Sequence, residues 1–393
     1  MNKMIYLCAA AALSLASCSN DETVEMAKGN AISFRTVAGL NTRGVETTQA
    51  NLASMYVTAY DQDGTSPYFS NVEFARDGQT NTFVSNPSRF WTKNTMYFLA
   101  LAPQATDWPA TNNISFANNA FEATFTDVTP DADVANQKDL MIGKASGSQN
   151  TDASGLDLTL NHVLSQIQIQ AKNTNTAYVY EIKGVRIASV VAKGSYTFST
   201  NAWNVEADHQ NATLKTYDVI LDNPITLDGT TDKIQAVLMK NKGNQVYDNA
   251  MLIPQQLTAW AGNKANSGDN FDKGSYISLL LNVKSSDQNA KSYIYPAGST
   301  VDAKTYGWAA VAVGTKWEAG KKYIYTLDLS NGAGKVDPVE PNPDPTNPSV
   351  KPQPDGKDPD KGEDIMGDPI KFDVTVTGWE DAFAGTTDGD LKM

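Results

Sequence analysis

Met55-Tyr56-Val57-Thr58-Ala59-Tyr60, closed by Asp61-Gln62-Asp63-Gly64, is the stretch that decides the fold. Side chains of an extended chain alternate between two faces, and here aromatic and β-branched residues run into a turn-forming tetrad. The pattern recurs in Thr95 to Ala102, Ala120 to Phe125, Asp139 to Gly143 and Leu156 to Ala171. It continues in Tyr178 to Ile187, Lys233 to Met239, Tyr276 to Val283 and Lys322 to Leu329. Many short strands separated by Gly, Asn and Asp turns predict an all-β chain built of sandwiches. Long helical periodicity is missing from the sequence, as is a repeat of fixed period. Asp61-x-Asp63-Gly64 resembles the opening of a calcium loop, but its glycine comes too early and no Glu closes it. A hairpin turn is the expectation there.

With 393 residues, 41% of them hydrophobic, the chain has length and apolar content for two or three domains. Forty-four acidic against 31 basic side chains leave a net charge of −13. That balance speaks against nucleic acid, whose binding is driven by neutralising phosphates. Two composition breaks divide the chain. Ala145 to Gly155 is small and polar, and reads as a long loop or an inter-domain connection. Lys335 to Asp368 holds eight of the 17 prolines and many aspartates, which is a composition for an extended, mobile linker of about 100 Å at ~3.1 Å per residue. The expected organisation is therefore a sandwich over 44–155, a second over 156–334, a disordered Pro/Asp-rich linker over 335–369 and a C-terminal strand within 370–393.

The N-terminus carries an address. Lys3 precedes an uncharged run from Met4 to Ala16, too short for a bilayer span but suited to a secretory leader. Leu15-Ala16-Ser17-Cys18 has the small residues before cysteine that lipoprotein processing requires. Residues 1–17 are then a signal peptide, cut between Ser17 and Cys18, with Cys18 acylated. Cys8 leaves with the leader, so the mature chain has no disulfide and no free thiolate. Residues 18–43 form a propeptide. Within it Asn30 to Val37 alternates as a strand with Ile32 and Phe34 on one face, and a flexible stretch then presents Arg43-Gly44, a good protease target.

Signals of chemistry are weak. His162 and His209 have no metal-ligand neighbour at i+3 or i+4, and no Gly-x-Ser-x-Gly elbow is present. Gly332-Ala333-Gly334-Lys335 leads into prolines rather than a helix, so no phosphate loop is expected. His162 reads as structural, and Trp91, Trp203 and Trp317 as core. No catalytic residue, metal or cofactor is expected. The last alternating segment offers Ile370, Phe372, Val374 and Val376 on one face. It either completes its own sandwich or is donated to a neighbour.

These residues resemble a known family, the fimbrillins of Bacteroidales, subunits of type V pili. The resemblance rests on Cys18 in its lipobox, Ile32-x-Phe34, Thr42-Arg43 and the Asp139-Leu140-Met141 strand. It extends through His162-Val163-Leu164-Ser165-x-Ile167, Trp317-x-x-Gly320-x-x-Tyr323-x-Tyr325 and a closing strand that ends at Trp379. It implies two transthyretin-like β-sandwiches in tandem and a lipidated precursor at the outer membrane. An arginine-specific protease would cut after Arg43, release the strand bearing Ile32 and Phe34, and leave a groove for a strand of another fimbrial subunit. The expected place is then an extracellular fimbrium with an adhesive role and an unknown surface receptor. Two rivals stay open. One is a permanently lipidated, glycan-binding surface protein. The other is a tip or accessory subunit rather than a stalk pilin.

Overall fold

The computed structural model describes residues 26–36, 52–62, 64–207, 211–230, 235–236, 249–262, 273–287, 289–290, 292–338 and 358–379. Ser17, Cys18, Arg43, Gly44 and His209 lie outside the described residues. Strands dominate, and the α-helix among the described residues is one turn at Gln149–Asp152.

The chain opens with β1 (Met26–Ala31) and β2 (Ser33–Thr36). A run of strands follows: β3 (Ser54–Asp61), β4 (Phe69–Arg76), β5 (Thr82–Ser85), β6 (Phe90–Thr92) and β7 (Met96–Ala102). Next come β8 (Thr111–Ala117), β9 (Ala120–Val128), β10 (Met141–Gly147), β11 (Leu156–Leu158) and β12 (Asn161–His162). The turn after β3 is closed by the Gly64 amide donating to the Asp61 carbonyl at 3.0 Å. Eight of these strands form one sheet in the order β11-β2-β5-β4-β3-β7-β10-β12, and β1 pairs with β6 beside it. A Cβ added at Gly147 of β10 would lie 2.8 Å from the Leu156 side chain of β11, so the sheet curls until its ends nearly meet. Its inner face closes on a core that includes Phe34, Met55, Phe74, Phe83, Trp91 and Phe98.

β7 shows how sequence and layering connect. Met96-Tyr97-Phe98-Leu99-Ala100-Leu101-Ala102 is apolar on both faces. Phe98, Ala100 and Ala102 enter the core of the curled sheet, while Leu99 and Leu101 enter a second cluster with Phe121, Phe125 and Tyr196. A strand buried on both faces loses the polar half of its alternation. The covering layer on that second face is β8 and β9 joined by β15 (Gly194–Thr197) and β16 (Ala202–Val205), in the order β16-β15-β9-β8. The N-terminal part is therefore three layers deep rather than two.

The C-terminal part begins with β13 (Ser165–Lys172) and β14 (Tyr178–Val191), and after β16 continues with β17 (Leu214–Leu227), β18 (Gln235–Ala236) and β19 (Ala250–Leu252). It ends with β20 (Tyr276–Ser285), β21 (Gly307–Ala312), β22 (Lys321–Asp328), β23 (Gly332–Val336), β24 (Asp364–Gly367) and β25 (Lys371–Gly378). One sheet runs β18-β13-β22-β25, with β19 also on β13, and it faces a second that runs β17-β14-β20-β21-β23-β24. In β14 the inward residues are Tyr180 and Ile182, then Val185 and Ile187. A bulge between Ile182 and Gly184 shifts the phase by one residue and lets a long strand keep its apolar face inward. A Cβ at Gly184 would stand 2.8 Å from the Val219 carbonyl oxygen, so only glycine fits there unshifted.

Two expected boundaries fall inside sheets. The stretch 145–155 finishes β10 and turns through Gln149–Asp152 into β11 and β12, both strands of the same curled sheet. β15 and β16, well beyond residue 155, extend the cover layer of the N-terminal part. Composition marks a polar turn, but it carries no information on which sheet the next strand joins. Structure also reaches into the Pro/Asp-rich segment from both sides. Val336 donates to Glu363 and Gly362 donates to Val336, each at 2.9 Å, and β23 pairs with β24. Residues 339–357 lie outside the described residues.

Candidate functional site

Two strands carry the sequence features singled out above, and the structure treats them differently. β2 lies between two partners. It runs antiparallel to β5, with Phe34 opposite Phe83, and parallel to β11, with Phe34 opposite Leu156. The Ile32 amide donates to the Arg89 carbonyl at 2.7 Å, and the Thr36 amide to the Asn81 carbonyl at 3.3 Å. Alternation dictates the rest. Ile32, Phe34 and Thr36 point inward and are at most 4% exposed. The Phe34 ring meets Phe74 edge-on at 4.9 Å and Phe98 at 5.1 Å, geometry that aromatic quadrupoles favour. Outward, Arg35 forms an exposed ion pair with Asp157 at 3.0 Å. The strand expected over Asn30–Val37 is thus two strands, with Ile32 at the junction and β1 held by β6.

β25 is an edge strand. It pairs antiparallel with β22 along its length, from Lys371 opposite Asp328 to Gly378 opposite Lys321, and no strand among the described residues lies on its other side. In this structure residues 370–378 complete their own C-terminal sandwich. Ile370 is buried, Phe372 and Val374 are half-buried against the core, and Val376 is 51% exposed. Phe372 approaches Tyr325 at 6.0 Å. The linker expected before this strand is tied down at its ends. The Asp358 carboxylate accepts from the Ala297 amide at 2.8 Å, and Lys335 meets Asp364 at 2.8 Å. Asp337 accepts from Arg186 at 3.2 Å and from the Tyr276 hydroxyl at 2.9 Å. Burial by itself would lower the Arg186 pKa, but hydrogen bonds to Asp218 and the charge of Asp337 raise it above its ordinary value. Its guanidinium also lies 4.1 Å over the Trp308 ring. This buried network anchors the chain where it leaves β23.

The end of β25 reaches the N-terminal part. Trp379 is buried in the cluster under the cover layer and stacks flat on His162, with ring centroids 4.5 Å apart and planes 3° apart. His162 is in turn held by the Asp139 carboxylate at 2.9 Å, with both side chains almost fully enclosed. The sequence pointed to His162 as structural and to Trp379 as the end of a strand. Their contact, across more than two hundred residues, has no local signature.

Among the described residues, no group of His, Cys, Asp and Glu is placed to hold a metal ion. Two surface clefts of about 250 and 170 Å³ fall below the roughly 300–1,000 Å³ of ordinary ligand pockets. Six of the seven tryptophans are at most 4% exposed, and Trp203 is half-buried with its indole nitrogen donating to the Val163 carbonyl. None offers an open aromatic platform for a sugar.

A family model described as fimbrillin-like matches residues 36–342. The fold is similar to that of a fimbrial protein from Bacteroides vulgatus, at 14% identity and a TM-score of 0.51, over 89% of this chain and 100% of that one. Looser likenesses are to putative cell adhesion proteins from Bacteroides ovatus (13% identity, TM-score 0.43, 90% of this chain and 98% of that one) and Bacteroides uniformis (12%, 0.42, 89% and 99%). No curated protein sequence matches the chain.

Proposed function

This chain belongs to the fimbrillin-like family, and on that premise we propose that it is a structural subunit of a surface fimbria that assembles by strand exchange and serves adhesion. The precursor is carried to the outer membrane by acylation at Cys18, and an arginine-specific protease cuts between Arg43 and Gly44. The cut severs β1 and β2 from the rest of the chain and removes lipid and first strand together. The subunit then joins an extracellular polymer and performs no catalysis of its own.

One observation carries this reading. β2 fills a complete slot, and β25 repeats its apolar spacing. Ile32-x-Phe34-x-Thr36 occupies the slot, and Ile370-x-Phe372-x-Val374 has the same types at the same intervals, with Val nearly isosteric with Thr. Without β2, the edges of β5 and β11 lose their ladders above a trough lined by Phe74, Phe83 and Phe98. Such an edge accepts an added strand. Each buried Ile or Phe contributes roughly 1.5–3 kcal/mol, as an upper estimate. The direction of exchange follows from pairing. In its own sandwich β25 is hydrogen-bonded on one edge and Phe372 and Val374 are only half covered, whereas the slot offers two edges and full burial. The rival glycan-binding reading would need a platform other than the tryptophans, six of which are buried and one half-buried.

The test is limited digestion of the purified precursor with an arginine-specific protease. A single cut at Arg43 followed by a ladder of polymers, both lost in Arg43→Ala, is the expected result. A clean cut that yields only monomer counts against a stalk role, and no cut at Arg43 overturns the mechanism.

A further inference from the structure

The slot of the first strand and the seat of the last strand belong to one continuous piece of chain. β11 is the end strand of the curled sheet, and its ladder partner is β2. Its inward residues Leu156 and Leu158, followed by Leu160, share the core of Ile32 and Phe34. Two residues after Leu160 comes His162, on which Trp379 stacks. Val163 and Leu164 then lie in the same cluster as Trp379. The backbone adds a second tie, because the Trp379 amide donates to Gly320 at 3.1 Å and the Gly320 amide donates to Leu164 at 2.9 Å. Residues 156–164 therefore have β2 at one end and the terminus of β25 at the other.

Resting on the strand-exchange reading, we propose that occupancy of the first-strand slot controls the latch on the last strand. While β2 is in place it holds β11 by ladder and by packing, and the segment that follows presents His162 and Leu164 as a fixed seat for Trp379. When β2 is lost, β11 gives up its ladder and part of its apolar cover. The seat loosens, and β25 is freed at its C-terminal end, where Val376 is already half exposed. An uncut subunit thus keeps its last strand at home, and a cut one offers it to another copy of this chain. Positioning is the role of His162 and Trp379 here, with Asp139 holding the imidazole in plane.

Coupling between two sites is reciprocal at equilibrium, and typical couplings span about 5- to 150-fold. This makes the proposal testable in the uncut, monomeric full chain by amide hydrogen exchange over 33–36 and 371–379, with β14 as the reference for global opening. Phe34→Ala is expected to accelerate exchange in 371–379, and Trp379→Ala to accelerate exchange in 33–36, each at least ~5-fold relative to β14. Val374→Ala, which loosens β25 away from the latch, is expected to leave 33–36 unchanged. Acceleration confined to the mutated strand overturns the coupling, and an equal effect of Val374→Ala on 33–36 overturns the latch as its route. Where an alanine variant opens β14 as well, Ile32→Val and Trp379→Phe are read by the same criterion. The measurement needs no polymer. Polymer without coupling refutes the latch and leaves strand exchange standing, and coupling without polymer after cleavage does the reverse.

Discussion

β2 and β25 are the first and last apolar keys of the described chain, built on the same Ile-x-Phe spacing with the isoleucine buried in both, yet beyond it they are covered to different degrees. Phe34 is 0% exposed and its strand is paired on both edges, while Val376 is 51% exposed and its strand is paired on one. The strand proposed to be discarded is the better packed of the two. Identical local patterning therefore does not set burial; the number of neighbours does. A slot closed on two edges is specific for what fills it, whereas a strand held on one edge is available. In the proposed exchange, the enclosed strand is the one lost and the edge strand the one recruited.

The sharpest way to break this comparison is a matched pair of truncations. Phe34→Ala is expected to destabilise the intact chain by about 3–5 kcal/mol in urea unfolding, as full truncation of a buried aromatic does. Phe372→Ala should cost only about 1–2 kcal/mol, because its ring already keeps part of its surface in water. Equal losses would mean that the two strands are not energetically distinct. A smaller effect separates folding from assembly. Val376→Thr is expected to change monomer stability by less than about 0.5 kcal/mol, yet to reduce the polymer ladder after cleavage at Arg43. An unchanged ladder would remove Val376 from the donor face.

A further test concerns the first rung of the β25 ladder. Asp328, opposite Lys371 in register, also meets Lys172 at 3.2 Å. Burial tends to raise its pKa, but hydrogen bonds from Ser330 and the Lys172 ammonium prevail and hold it below its ordinary value. A depressed native pKa contributes stability above the unfolded value of about 4 and loses it as pH falls through the folded value. Asp328→Asn is therefore expected to cost under ~1 kcal/mol at neutral pH, with the gap closing on acidification. Urea unfolding of both proteins at pH 7 and near pH 2 measures this. A gap that persists in acid would assign the effect to packing rather than charge.

Much of the local structure was legible. The alternation in Met55–Tyr60, the inward pair Ile32 and Phe34, and the buried Trp91 and Trp317 all follow from side chains that seek the apolar face of a strand. Three features were not. β2 and β11 pair in parallel across some 120 residues, and two segments of three or four residues carry no record of each other. The third layer over β7 is hinted at only by the missing polar alternation of Met96–Ala102. The Pro/Asp-rich segment has a composition that excludes a core of its own, yet its flanks are stitched together through β23 and β24, where neighbouring elements supply the partners.

By itself the sequence determined the all-β character and the alternating faces, because each is a property of a few consecutive residues. Only the tertiary structure decided that one Ile-x-Phe strand lies enclosed between β5 and β11 and the other rides an edge beside β22, with Trp379 seated on His162. The physical reason is that alternation tells a strand which face to bury, whereas pairing and enclosure depend on what distant segments bring to its two edges.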